Sequence, residues 1–170
     1  MYGTPAQLIS GQGALREVSE IFDLEAALVT ATVEDTDRSA WSVDEIAAAD
    51  AALAEIVATS TRASSEMDVY LARRGYDLPL DAEQFPVLTT WWRSITRYHL
   101  QMQRDRTSED TGRIERDYRQ ALSALKGVAA GELSLGAGDP LVGVTSGDSA
   151  SVQVASGGPR LFSRNTLKGL

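Results

Sequence analysis

Residues 42–75, SVDEIAAADAALAEIVATSTRASSEMDVYLARRG, decide the fold. Ser42 followed three residues later by Glu45 makes a capping box, and Gly75 suits the left-handed position where many helices end. Between them, apolar or small residues recur at intervals of three and four: Ile46, Ala49, Leu53, Ile56, Ser60, Ala63, Met67 and Tyr70. This spacing is typical of a helix packed along its length, and it predicts a helix over Val43–Arg73, roughly 45 Å long.

Shorter helices are predicted on both sides of this segment. Residues 4–7, Thr-Pro-Ala-Gln, form a capping box with proline at the first helical position, so a short helix should run to about Ile9. A second helix is expected over Ala14–Phe22, with a continuation to Leu28 left open. Further helices are expected from Pro86 and over Ser108–Ala130.

These elements predict an all-α protein. Residues 1–130 should form a small bundle of four or five helices with a long central helix, followed by an extended C-terminal tail. We expect its core to contain Leu53, Ile56, Met67, Trp91, Ile95, Tyr118, Leu122 and Leu125.

A loop that projects from the bundle is predicted over residues 29–41, which have no clear period. It carries three acidic residues, Glu34, Asp35 and Asp37. The EF-hand template fails there, because Ala40 stands where the turn glycine belongs and Ile46 where the bidentate glutamate belongs. A solvated acidic loop is therefore the preferred interpretation.

Composition excludes several kinds of site. The net charge of -8 argues against a protein held on nucleic acid by phosphate contacts, although DNA could slide past a negative wall. With no cysteine and one histidine, His99, there is no disulfide, no Cys nucleophile and no zinc site built from those ligands. His99 is interpreted as a packing residue. We expect no cofactor, no metal and no enzymatic activity, the rival class being an enzyme that uses Glu66 and Asp68.

The sequence has no feature of a targeting or membrane segment. The first residues have no basic region followed by an apolar run, and no stretch approaches the roughly 18 apolar residues that span a bilayer. The expectation is a protein that stays in the cytoplasm where it is made, without a membrane partner.

Trp91 and Trp92 are a candidate contact between subunits. Adjacent helical residues point about 100° apart, so one indole could face the core and the other a neighbour. The alternative is that both are partly buried in one bundle.

The composition changes after residue 130. The last 40 residues hold 8 of the 14 glycines and many serines, which predicts a flexible linker over residues 131–158. Residues 159–170 are apolar and basic without an acid, so they should dock on another surface, although folding back on the bundle stays open. The candidate docking residues are Pro159, Arg160, Leu161, Phe162, Arg164, Leu167 and Lys168. Residues 152–154, Val-Gln-Val, could add a strand.

Four segments in order resemble the head–tail connector (adaptor) proteins of Mu-like tailed phages. They are residues 2–9, an opening helix with Tyr2, Thr4, Leu8 and Ile9; residues 70–80, YLARRGYDLPL; residues 125–136, LKGVAAGELSLG; and residues 156–167, SGGPRLFSRNTL. Two departures are an extra glycine, Gly158, and a longer, less glycine-rich segment at residues 29–41.

The resemblance implies a structural virion protein at the capsid–tail junction, made in the host cytoplasm. Adaptor subunits form a ring, generally twelvefold, between the portal protein and a neck or tail stopper or terminator protein, and DNA passes through its lumen without sequence recognition. In such a ring the tail would dock on the portal, and Glu34, Asp35 and Asp37 are candidates for the channel wall. The alternative is a non-viral helical interaction module that binds a partner through its C-terminal tail.

Overall fold

The structure, a computed structural model, describes residues 1–11, 13–103, 111–136 and 139–140. Its regular elements in these ranges are six helices: α1 Pro5–Ile9, α2 Ala14–Phe22, α3 Ala26–Val33, α4 Val43–Arg74, α5 Pro86–Gln103 and α6 Thr111–Ala130. The all-α prediction is confirmed. None of these helices is both long and apolar enough to cross a bilayer. The predicted start of the last helix at Ser108 and the strand at residues 152–154 lie outside the described residues.

Helix α4 begins and ends where its capping signals predict. The Ser42 hydroxyl accepts from the Glu45 N–H at 3.3 Å, and the Glu45 carboxylate accepts from the Ser42 N–H at 2.8 Å. Gly75 has a φ of 98° at the other end. The helix has 32 residues, which makes it about 48 Å long at 1.5 Å per residue.

The length of α4 lets it pack against two groups of helices. Its first half meets α2 and α3, where Phe22, Val33 and Leu53 surround a small apolar gap. Its second half packs with α5 and α6. Helix α5 runs antiparallel to α4, since Gln103 hydrogen-bonds Thr59 and His99 meets Glu66, seven residues later on α4.

The buried face of α4 is broader than the predicted stripe because helices cover it from two sides. Its buried residues are Ala49, Ala52, Ile56, Thr59, Ser60, Ala63, Ser64, Met67 and Leu71. Four of the eight predicted core residues are buried: Ile56, Met67, Ile95 and Leu125. The other four are half-buried: Leu53, Trp91, Tyr118 and Leu122.

The predicted loop over residues 29–41 is wrong in its first part, because residues 29–33 belong to α3. The β-branched side chains there suggest a non-helical segment, but packing overrides that preference. Leu28, Val29, Ala31 and Thr32 are buried, and the Thr30 hydroxyl donates to the Ala26 carbonyl at 3.0 Å. A helix that is apolar almost all the way round has no periodic signal, which is why the bundle has six described helices rather than four or five.

Trp92 joins the N-terminus to the long helix. Its side chain is fully buried, and its indole N–H donates to the Ser60 carbonyl at 3.1 Å. A Cβ placed on Gly3 would lie 2.3 Å from the indole ring, so only glycine fits there. The Tyr2 N–H also donates to the Ser64 hydroxyl, and the Thr89 hydroxyl donates to the Tyr2 carbonyl.

This close approach makes a testable pair of substitutions. Gly3→Ala should lower the free energy of unfolding by about 1–3 kcal/mol, because the indole is enclosed and cannot move away from the added methyl group. The matched control is Gly112→Ala on α6, where an added Cβ meets no atom of the described residues within 4 Å. That control should leave stability unchanged or raise it by less than about 1 kcal/mol, because alanine has the higher helix propensity but position 112 lies in the first turn of α6. Urea denaturation measures both, and equal effects of the two changes would contradict the packing described.

Candidate interaction surfaces

Glu17 connects α2 to helices α5 and α6. Its carboxylate accepts from Arg97 Nε at 2.7 Å and Nη2 at 2.6 Å, and from Arg113 Nη2 at 2.8 Å. The side chains of Glu17 and Arg97 are 11% and 13% exposed, so both charges are largely removed from water. Because the Arg97 guanidinium binds the Glu17 carboxylate through two parallel hydrogen bonds, the pair fixes the orientation of both side chains as well as the distance between them. Arg97 is therefore committed to its own chain.

Glu66 forms a second polar cluster where α4, α5 and α6 meet. One carboxylate oxygen lies 2.7 Å from His99 Nε2, and the other accepts from the Tyr118 hydroxyl at 3.2 Å. The Tyr118 ring stacks on Tyr98, with centroids 3.9 Å apart. Asp68, the other carboxylate of the rival enzyme hypothesis, accepts from the Tyr2 hydroxyl. Both acids thus bind neighbouring segments of the same chain, and the absence of enzymatic activity stays a prediction.

A metal centre has no counterpart in the part of the chain that the structure describes. No three His, Asp or Glu side chains come together there in an arrangement that could hold an ion. Asp35 and Asp37, two acids of the excluded calcium loop, are exposed.

The two adjacent tryptophans occupy different environments. Trp92 is enclosed in the core, so its own chain leaves it no surface for a subunit contact, whereas Trp91 is half-buried. Trp91 lines a surface groove of about 350 Å³ between α5 and α6, whose other lining residues are Thr90, Arg93, Ser94, Arg97, Asp117 and Gln120. Trp91 therefore remains the candidate contact residue of the pair.

The acidic loop after α3 is short and fixed to its own chain. Asp35 has a φ of 53°, and the Asp37 carboxylate accepts from the Ser39 N–H at 2.9 Å. Arg38 forms an ion pair with Asp50, and the Trp41 indole N–H donates to Glu25 at 2.9 Å. The loop therefore has a defined shape at the N-terminal end of α4.

Charge is unevenly distributed along the chain. Residues 14–55, from the start of α2 into α4, hold eleven acidic residues and two basic residues, Arg16 and Arg38, a net of −9, whereas the whole chain has −8. The remainder therefore carries +1. Because α2, α3 and the first half of α4 pack together, the acidic surplus lies at one end of the molecule.

The start of the predicted linker packs on the bundle. The Arg74 guanidinium donates to the Asp139 carboxylate at 3.0 Å and 2.8 Å, and the Asp139 side chain is fully buried. The Leu135 N–H donates to the Tyr76 hydroxyl at 3.3 Å. Residues 159–170, with every candidate docking residue of the tail, lie outside the described residues.

Comparison with known proteins identifies the family. The family model described as Bacteriophage Mu, Gp36 matches residues 16–154. The chain belongs to this family. Neither the curated proteins nor the solved structures give a match.

Membership in the Gp36 family makes this a Mu-like phage protein. The matched residues include helices α2 to α6, and therefore the Glu17 and Glu66 clusters, the acidic end and the Trp91 groove. The family match thus covers the surfaces that carry charge and exposed aromatic area.

The Glu66 cluster predicts how stability of this phage protein depends on pH. Burial, followed by the charge and the hydrogen bond of Glu66, raises the pKa of Tyr118 to about 12 from its ordinary value of 10.0. Between these values the unfolded tyrosine loses its proton while the folded one keeps it, so the free energy of unfolding should fall as pH rises from 10 towards 12. The pKa values of Tyr2 and Tyr76 are also raised, by burial first, so they contribute to the same fall.

Two substitutions isolate the part due to Tyr118. Tyr118→Phe removes the titrating group and Glu66→Gln removes the charge beside it, so both should flatten the dependence of unfolding free energy on pH above 10. Urea titrations at several pH values measure the slope. A slope unchanged by Tyr118→Phe would show that its hydroxyl is not held as described.

Proposed function

We propose that this Mu-like phage protein is a head–tail connector (adaptor) subunit. It would form a ring, generally twelvefold, between the portal and the neck or tail, and DNA would pass through the lumen. The observation that carries the proposal is membership in the Gp36 family together with the four connector-like segments in order along the chain. The non-viral interaction module, the alternative, loses support because the family is a phage family.

The shape and the charge of the molecule suit this role. The helical bundle, with α4 shared by two groups of helices, is a stiff block that could serve as one wedge of a ring. Because the acidic surplus lies at one end, a ring could direct part of it towards the lumen. A negative wall repels phosphate, so DNA would move through without binding.

The C-terminal segment would attach the ring to the portal. Its three cations, Arg160, Arg164 and Lys168, suit an acidic receptor surface, and its leucines and phenylalanine would be covered on docking. Ordering such a segment costs free energy, so each contact would be weak and many copies in a ring would act together.

Truncation after Gly158 tests the attachment. The shortened protein should keep its helicity and melting temperature, while the joining of capsids to tails should fail. A full-length control with Ser163→Ala and Asn165→Ala, which leaves the cations and apolar residues in place, should join capsids to tails normally. Unfolding of the truncated monomer would show instead that the segment belongs to the bundle.

A charge reversal tests the lumen. Asp44 is exposed at the start of α4, and Asp44→Lys, repeated around the ring, should slow DNA release from assembled particles because a cation holds phosphate. Glu83→Lys, an equal change at an exposed position outside the acidic end, should release DNA at the normal rate. Ejection followed by a DNA-binding dye measures both rates. Equal release by the two particles, or tight and salt-sensitive DNA binding by the unmodified protein, would contradict an acidic lumen.

A further inference from the structure

The groove between α5 and α6 presents groups that have no partner among the residues the structure describes. The Arg93 guanidinium makes no hydrogen bond or ion pair with any residue that the structure describes, and its Nε is shielded from solvent. One turn further along α5, Arg97 is already held by Glu17 and lies 3.9 Å from Asp117 on the α6 side of the groove. Arg93 is thus the cation of this groove that is available to an incoming carboxylate.

Trp91 gives the same groove an apolar wall. It packs against the core with part of its surface exposed, and no described residue accepts from its indole N–H. Tryptophan and arginine are the residues most enriched among those that dominate binding at protein interfaces. A partner segment with a carboxylate for Arg93 and a small side chain for Trp91 would fit in this groove.

The acidic loop of this chain has the complementary chemistry. Glu34 and Asp35 are exposed and form no ion pair with the described residues, unlike Asp37 and Asp50, which are bonded to Ser39 and Arg38. The loop is held in shape by these local bonds, so little ordering entropy would be lost on docking. The chain therefore has an anionic projection and an aromatic groove in which Arg93 has no described partner, while Arg97 faces Glu17 and Asp117.

The loop lies away from the groove of its own chain. The ion pair of Arg38 fixes it beside Asp50 on α4, whereas the groove lies next to Trp92, which bonds Ser60. Ten residues of α4 separate those positions, about 15 Å at 1.5 Å per residue. A loop that docks in this groove must therefore come from another molecule, and a second copy supplies it with the complementary charge.

We propose that the loop of residues 34–37 of one subunit docks in the groove around Trp91 and Arg93 of the next. The contact joins two different surfaces, so repetition generates a closed ring or an open filament, whereas a symmetric contact stops at a dimer. The inference rests on the proposed function for the ring itself and names the surfaces that form it. It leaves Asp44 and the rest of the acidic end free to face the lumen.

Cysteine cross-linking tests the contact directly, because the natural chain has no cysteine. Full-length protein with Thr36→Cys in the loop and Gln120→Cys in the groove is concentrated at low salt and oxidised. Covalent chains of three or more subunits are expected, since each subunit offers one thiol to each neighbour. Either cysteine alone should give dimers at most. A control pair, Thr36→Cys with the exposed Lys126→Cys outside the groove, should not form the longer chains.

A charge exchange tests the chemistry of the same contact. Arg93→Glu in the double-cysteine protein should slow formation of the longer chains by about tenfold or more, as expected for an opposed charge pair. Adding Asp35→Arg should restore most of the rate. Arg62→Glu, the same change at an exposed position on α4, should leave the rate unaltered. Circular dichroism checks that each variant keeps its helices. Because the Arg93 side chain packs close to Gly11, Arg93→Gln, which removes the charge and keeps a polar side chain, is a second variant that disturbs this packing less.

Electron microscopy of the same samples separates the two proposals. Rings that form without covalent chains of the double-cysteine protein would overturn the loop–groove contact and leave the connector function standing. If neither rings nor covalent chains form, the contact is overturned and the proposed ring loses its support as well. Longer chains that resist the Arg93→Glu change would also overturn the assignment of Arg93 as the receptor of the loop.

Discussion

The enclosed indole of Trp92 sets the spacing of α1, α4 and α5. Its N–H must reach the Ser60 carbonyl, and its ring occupies the space that a side chain at position 3 would need. The N-terminal segment can therefore lie against α5 and α4 only because Gly3 has no Cβ. Tyr2, next to it, then reaches Ser64 and Asp68 on α4. Placement of the first helices thus follows from one aromatic contact.

Local signals in the sequence account for the parts of the fold that could be predicted. The ends of α4 follow from Ser42, Glu45 and Gly75, whose effects are confined to a few neighbouring residues. Helix α3 gave no such signal, because its residues are apolar on nearly every side. The exposure of Leu53 and Leu122, which are half-buried rather than buried, depends on how the helices pack and not on spacing along the chain.

The polar clusters could not be predicted because their partners are distant in the chain. Glu17 meets Arg97 and Arg113, which are 80 and 96 residues away. A charged residue on a helix ordinarily indicates a solvated face, and nothing in the pattern around Glu17 distinguishes it. Trp91 and the loop acids are candidate contact residues from the sequence alone. Their separation on the molecule, and the unpartnered state of Arg93 among the described residues, depend on how distant segments pack.

The three tryptophans stand at three separate places: Trp92 inside the core, Trp91 at the rim of the α5–α6 groove, and Trp41 beside the acidic loop, bonded to Glu25. Indole emission depends on contact with water, so unfolding should change the emission of all three. In the folded protein, only Trp41 and Trp91 should respond to whatever covers the loop or the groove. The molecule therefore carries intrinsic optical probes of folding and of assembly, without any added label.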